Sequence, residues 1–188
     1  MTVREPALDE RVVLLSEALE GAGLPYAFGG ALAAAYCAEP RATVDIDVNV
    51  FVGVDRASAI IDALRPLGVA ATPEETNELT RDAQVRVRWG RYPLDLFLSN
   101  HPLHDVAENR VRRVPFAATE IPILSCEDLV VFKAFFNRTK DWLDIEQILF
   151  GYADFDIGYV EHWLRELAGP DDDRVRRLAE ALRNASGQ

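Results

Sequence analysis

Apolar and polar positions alternate along this chain with two different periods, and the change of period marks out its elements. Val12, Val13, Leu15 and Leu19 recur at helical spacing, with Gly21 and Gly23 after them, which predicts an amphipathic helix over residues 9–20. Pro25 to Phe28 reads as a short strand. Gly29-Gly30 interrupts it, and the alanine-rich run from Ala31 to Ala38 reads as a helix that begins directly after the glycines. Period-two alternation then predicts a strand over Thr43 to Val52, helical spacing returns over Ala57 to Leu67, and strands follow over Gln84 to Trp89 and Leu94 to Leu98. Shorter strands are predicted over Val111 to Phe116 and Ile121 to Leu124. From Ser125-Cys126-Glu127-Asp128, a capping-box-like start, the pattern is helical throughout. Helices are expected near 125–137, 140–150, 156–168 and 171–184, with breaks at Gly151, Gly158 and Gly169-Pro170.

These elements predict an α/β (α+β) fold: a small mixed sheet flanked by helices, followed by a helical C-terminal region. The expected domains are an α/β core over 1–124 and a helical region over 125–188. The length of 188 residues, 49% hydrophobic and 27% charged, suits a chain that buries a core of its own and excludes disorder. The balance of 20 Lys+Arg against 31 Asp+Glu gives a formal charge of -11, which argues against broad adhesion to nucleic acid or anionic membrane; a polyanionic partner would need a local basic patch. Cys37 and Cys126 lie far apart and match no metal-ligand spacing, so they are expected as buried or free thiols in a reducing compartment. The most apolar stretch, Gly23 to Ala38, is too short to span a bilayer and lacks a basic flank. The expected location is the cytoplasm, with no membrane partner.

The chemistry concentrates in Val44-Asp45-Ile46-Asp47-Val48-Asn49-Val50. Alternation puts the aliphatic residues on one face and Asp45, Asp47 and Asn49 on the other. Aspartate is depleted in strands and like charges on one face repel, so two local preferences are broken within a few residues, a mark of function. Mg²⁺ would remove the repulsion, since it takes carboxylate oxygens together with substrate phosphates; the alternative is an ordinary solvated strand face. A third acid, Asp95, stands within Leu94-Asp95-Leu96-Phe97-Leu98. Beside the first strand it would complete a three-carboxylate metal cluster and accept a proton from an attacking hydroxyl; at a sheet edge it would simply face solvent. Gly29-Gly30 before a helix lets backbone N–H groups approach a phosphate, although a plain turn would use the same pair.

Gly29-Gly30, Asp45-Ile46-Asp47 and Asp95 together resemble the DNA polymerase β-like nucleotidyltransferase superfamily. Arg41 to Asp47, Ser125 to Lys133 and Lys140-Asp141-Trp142-Leu143-Asp144-Ile145 are similar to the AbiEii/MenT group of toxin-type nucleotidyltransferases, over residues 25–150. The resemblance implies that Asp45, Asp47 and Asp95 are catalytic and hold Mg²⁺, that Gly29, Gly30, Lys133 and Asp144 bind an NTP, and that the acceptor is the 3′ end of tRNA. It also implies a cognate antitoxin protein. The superfamily turn usually carries a serine as its second or following residue, where this chain reads Gly29-Gly30-Ala31, so phosphate contact would fall to backbone N–H groups.

Lys133 is conspicuous in its own right, because only Lys133 and Lys140 are lysines in an otherwise arginine-rich set of cations. Inside an apolar helix its ammonium suits a triphosphate, or else snorkels to the surface. Lys140 and Asp144 are spaced for an i,i+4 pair. Arg86 and Arg88, and separately Arg112 and Arg113, are candidate contacts to an acceptor RNA, or ordinary solvated arginines. His101-Pro102-Leu103-His104 reads as a loop that does not organise a metal site. The residues also fit two other functions: nucleotide transfer to a small hydroxylated molecule such as an aminoglycoside, and a catalytically silent nucleotide- or protein-binding module.

Overall fold

The computed structural model describes residues 4–151 and 155–186. Contacts divide them into two compact units. One comprises residues up to 32 with 42–123; the other comprises 33–41 with 124 onward. The short segment 33–41 therefore groups with the C-terminal helices, not with the strands that flank it in sequence.

The first unit is built on a six-stranded mixed sheet of order β3-β4-β2-β1-β6-β5. Its strands are β1 (Tyr26–Phe28), β2 (Ile46–Val50), β3 (Gln84–Trp89), β4 (Tyr92–Leu98), β5 (Arg112–Phe116) and β6 (Thr119–Ile123). β2 runs antiparallel to β1 and parallel to β4, while β3 and β4 form a hairpin closed by Gly90 and Arg91, where Gly90 takes a positive φ of 64°. Ile46, Val48, Leu94, Leu96, Val85 and Val87 are buried, as alternation requires. Helices α1 (Leu8–Gly21), α3 (Ala57–Leu64) and α4 (Pro73–Asp82) pack in this unit. On the Val85/Val87 face the Trp89 Nε1 donates to the Leu67 carbonyl at 2.8 Å. The buried Arg11 guanidinium of α1 lies 4.5 Å from the Trp89 ring and 5.0 Å from that of Tyr92.

Two helices lie where the polar pattern predicts none. α4 begins at Thr72, whose hydroxyl accepts from the Glu75 N–H while the Glu75 carboxylate accepts from the Thr72 N–H. It buries only Leu79, so its sequence has no apolar period to read. α5 (Pro102–Asn109) replaces the expected loop: Pro102 occupies the first helical position, and His101 caps it by accepting the Leu103 N–H at 3.2 Å.

The second unit contains α6 (Cys126–Phe136), α7 (Thr139–Gly151), α8 (Ile157–Ala168) and α9 (Asp173–Ser186). Ser125 caps α6, accepting from the Asp128 N–H at 3.1 Å. Cys37 and Cys126 are joined in a disulfide, which corrects the expectation of two thiols. Their separation of 89 residues hid a pairing that depends on segment 33–41 folding against α6. Among the described residues no helix is long and apolar enough to cross a membrane.

Candidate active site

The strand register aligns the acids. Asp47 of β2 and Asp95 of β4 are direct neighbours in the parallel pair, and Arg86 of β3 is the neighbour of Asp95 in the hairpin. Side chains at register partners project to the same face, so Asp47, Asp95 and Arg86 form a row across three strands. Asp95 is almost buried, and both of its oxygens are taken by Arg86: Nε at 2.7 Å and Nη2 at 2.6 Å. A two-pronged pair of this kind is among the stronger ionic contacts. The Asp95 bond, then the charges of Asp45 and Asp47, outweigh the opposing effect of burial and raise the Arg86 pKa further above its ordinary value. All three carboxylates therefore act on one guanidinium.

Asp45 lies one residue before β2 and is half-buried, its N–H donating to the Thr43 hydroxyl at 3.1 Å. The strand is shorter than predicted, and Val44, expected on the apolar face, is exposed. Gly30 opens α2 (Gly30–Ala34) with φ 53°, and a Cβ there would overlap the Asp47 carboxylate. Only glycine permits both the backbone angle and that approach. The Gly29 N–H donates to the Asp47 carbonyl at 2.9 Å, so it belongs to the sheet instead of pointing at a ligand.

The donor set suits Mg²⁺. Asp45 and Asp47 are hard oxygen donors whose charges both act on Arg86, and Mg²⁺ is commonly held by one or two carboxylates plus substrate phosphates. Among the described residues no three acid, histidine or cysteine side chains converge on one point. The expected third ligand, Asp95, has both oxygens on Arg86.

The other predicted residues fall into separate places. In the helical unit Lys133 is buried, its Nζ 2.6 Å from Asp144 Oδ2 and 3.8 Å from Asp141 Oδ1. Asp144 also accepts from Arg41, Nε at 2.8 Å and Nη2 at 3.0 Å. Burial pushes the Asp144 carboxyl up, but the bonds from Arg41 and Lys133 outweigh it and hold its pKa below the ordinary value. Asp144 thus pairs across elements and not along its own helix with Lys140. Arg138 clasps Asp141 at 2.7 and 3.1 Å, completing a network of alternating charge.

The two candidate arginine groups lie on separate strands. Arg86 and Arg88 lie on β3 and Arg112 and Arg113 on β5, the two opposite edges of the sheet, roughly 24 Å apart at the usual strand spacing. Arg86 is committed to Asp95, and Arg113 pairs with Glu20 at 3.3 Å and Glu120 at 3.9 Å. Arg41 and the Arg86–Asp95 pair are the site features that sequence reasoning missed. The second was within reach: counting outward from the two-residue turn at Gly90-Arg91 puts position 86 opposite 95.

No family model matches the chain, and no curated protein matches it in sequence. Solved structures do share its fold. An antigenic nucleotidyltransferase-like protein from Paracoccidioides brasiliensis superposes with a TM-score of 0.54 at 15% identity, covering 94% of this chain and 92% of its own. ANT(2″)-Ia in complex with adenylyl-2″-tobramycin gives 0.52 at 15% identity, over 95% and 98% of the two chains. The lincosamide antibiotic adenylyltransferase LnuA, lincomycin-bound, gives 0.52 at 16% identity, over 77% of this chain and 98% of its own.

Proposed function

We propose that the protein is a Mg²⁺-dependent nucleotidyltransferase that moves a nucleotide from an NTP to a small hydroxylated molecule. The observation that carries this reading is the register of Asp47 with Asp95, with Gly30 closed over the Asp47 carboxylate. It is supported by a fold shared with structures that contain an adenylylated aminoglycoside and a lincosamide. Mg²⁺ held by Asp45 and Asp47, with Asp95 as the third acid, would supply charge neutralisation for the triphosphate. The chain's own residues position and accept protons. The acceptor hydroxyl oxygen forms a bond to the α-phosphorus, the bond to pyrophosphate breaks, and the hydroxyl proton passes to the Asp95 carboxylate. Lys133 and Asp144, paired with each other inside the helical unit, take no part in this reading.

A small acceptor agrees with the charges better than the tRNA end and antitoxin implied by the AbiEii/MenT resemblance. With a net charge of -11, Arg86 and Arg113 paired, and the two arginine groups on opposite edges, a polyanion finds little to grip. The test supplies Mg²⁺ and each labelled NTP with hydroxylated aminoglycosides and lincosamides in one arm and total tRNA in the other. Label and pyrophosphate are expected in the small-molecule arm, reduced at least about a hundredfold in Asp47→Ala. Label on tRNA would replace the small acceptor by the toxin reading. Absence of both product and pyrophosphate in every arm would leave a silent binding module.

A further inference from the structure

Arg86 stands where a cation is needed. It bridges both oxygens of Asp95 and feels the charges of Asp45 and Asp47, so in this conformation the guanidinium neutralises Asp95 and offsets part of the charge of the two acids beside it. A metal ion and a guanidinium at one set of carboxylates repel each other, and each removes part of the other's attraction.

The placement of Arg86 favours exchange. β3 is an edge strand, and the Arg86 side chain is 53% exposed whereas that of Asp95 is 13% exposed. Arg86 can therefore swing into solvent by side-chain rotation alone, with no strand pairing broken, while Asp95 stays fixed by the parallel register. The two-pronged pair is a strong contact, but with Arg86 53% exposed water can solvate the guanidinium once it leaves, and a divalent cation competes for the same carboxylate with twice the charge.

We propose that Arg86 is an internal counter-cation of the acid cluster, a positioning residue that occupies Asp95 in the metal-free protein and is displaced when the metal binds with its nucleotide. The inference rests on the nucleotidyltransferase reading for the identity of the metal site. It adds an ordering device: metal alone meets Arg86 as a competitor, whereas a triphosphate gives the released guanidinium an anion to face. Wild-type protein then binds metal and nucleotide synergistically, and removal of the Arg86 charge strengthens metal binding while weakening the synergy.

The experiment measures Mn²⁺ binding directly, by the loss of the free-ion electron paramagnetic resonance signal, without and with a non-hydrolysable NTP analogue. Arg86→Gln is expected to bind Mn²⁺ alone about tenfold more tightly than wild type, and to show a smaller gain on adding the nucleotide. Arg86→Lys, which keeps the charge but not the planar fork, is expected to stay near wild type. A purely structural role for the pair would not give this order. Equal Mn²⁺ affinity in wild type and Arg86→Gln overturns the counter-cation and leaves the transferase reading standing; no Mn²⁺ binding by either, even with nucleotide, overturns both. Tighter binding without any transfer product supports the counter-cation and sinks only the proposed reaction. Should Arg86→Gln fail to fold, the wild-type protein still decides: saturating Mn²⁺ is expected to speed modification of Arg86 by phenylglyoxal, read by peptide mass, and an unchanged rate overturns the proposal.

Discussion

Gly30 is the residue on which the front of the site turns. Its φ of 53° costs an L-residue about 1–2 kcal/mol, and a methyl group there would also meet the Asp47 carboxylate. Gly30→Ala is therefore expected to lower stability by at least about 2 kcal/mol in urea unfolding. Transfer should fall further than stability predicts, because Asp47 must move to admit the methyl group. If the variant melts like wild type and keeps its activity, the close approach has no functional weight. The same contact shows what was legible in the sequence at this scale. The glycine pair and the Asp-x-Asp strand stand out by breaking local preference. The partner of Asp95 does not, because an arginine alternating with valines looks the same whether it faces water or a carboxylate.

At the scale of elements, Lys133 on α6, Asp144 on α7 and Arg41 in segment 33–41 are held by charge. Asp144 is the shared partner, buried between two cations at 2.6 and 2.8 Å. Removing its charge leaves Lys133 buried beside Arg41 with only Asp141 nearby, so Asp144→Asn is expected to cost about 3–5 kcal/mol at neutral pH. The sign with pH follows from the lowered pKa of Asp144. Its stabilisation is fully present above the unfolded value of about 3.9 and is lost as pH falls through the lower folded value. The gap in urea midpoint between wild type and Asp144→Asn should therefore close as the pH drops below about 4, and a gap that persists there would refute the ionic account. Periodicity foretold most helices and strands because their buried faces are continuous. It missed α4, whose caps are polar and whose burial is a single leucine, and α5, where Pro102 starts a helix in a stretch that reads as a loop. The parallel register of β2 with β4 was also illegible, since it is set by a crossover of 43 intervening positions that no local pattern encodes, although Asp47 and Asp95 themselves were found.

For the whole molecule the decisive covalent fact is the Cys37–Cys126 disulfide. The chain leaves the helical unit after residue 41 and re-enters it at 124, and the bond joins the two passages inside that unit. It closes a loop of 89 residues that contains most of the sheet. In the chain-entropy account such a loop restricts the unfolded state by about 4–5 kcal/mol, a large share of the stability of a domain this size. The bond also keeps segment 33–41, and with it Arg41, beside the helices that carry Lys133 and Asp144. Reduction, or the pair Cys37→Ser and Cys126→Ser, is therefore expected to lower the urea midpoint strongly. The acid-dependent part of stability should shrink along with it, because Arg41 is then free to leave Asp144. Non-reducing peptide mass should show the linked 37–126 fragment in untreated protein. If the reduced protein loses stability but keeps its full acid dependence, the bond acts on the unfolded chain alone and Arg41 is placed by packing; if it loses neither, the pairing adds nothing to the fold.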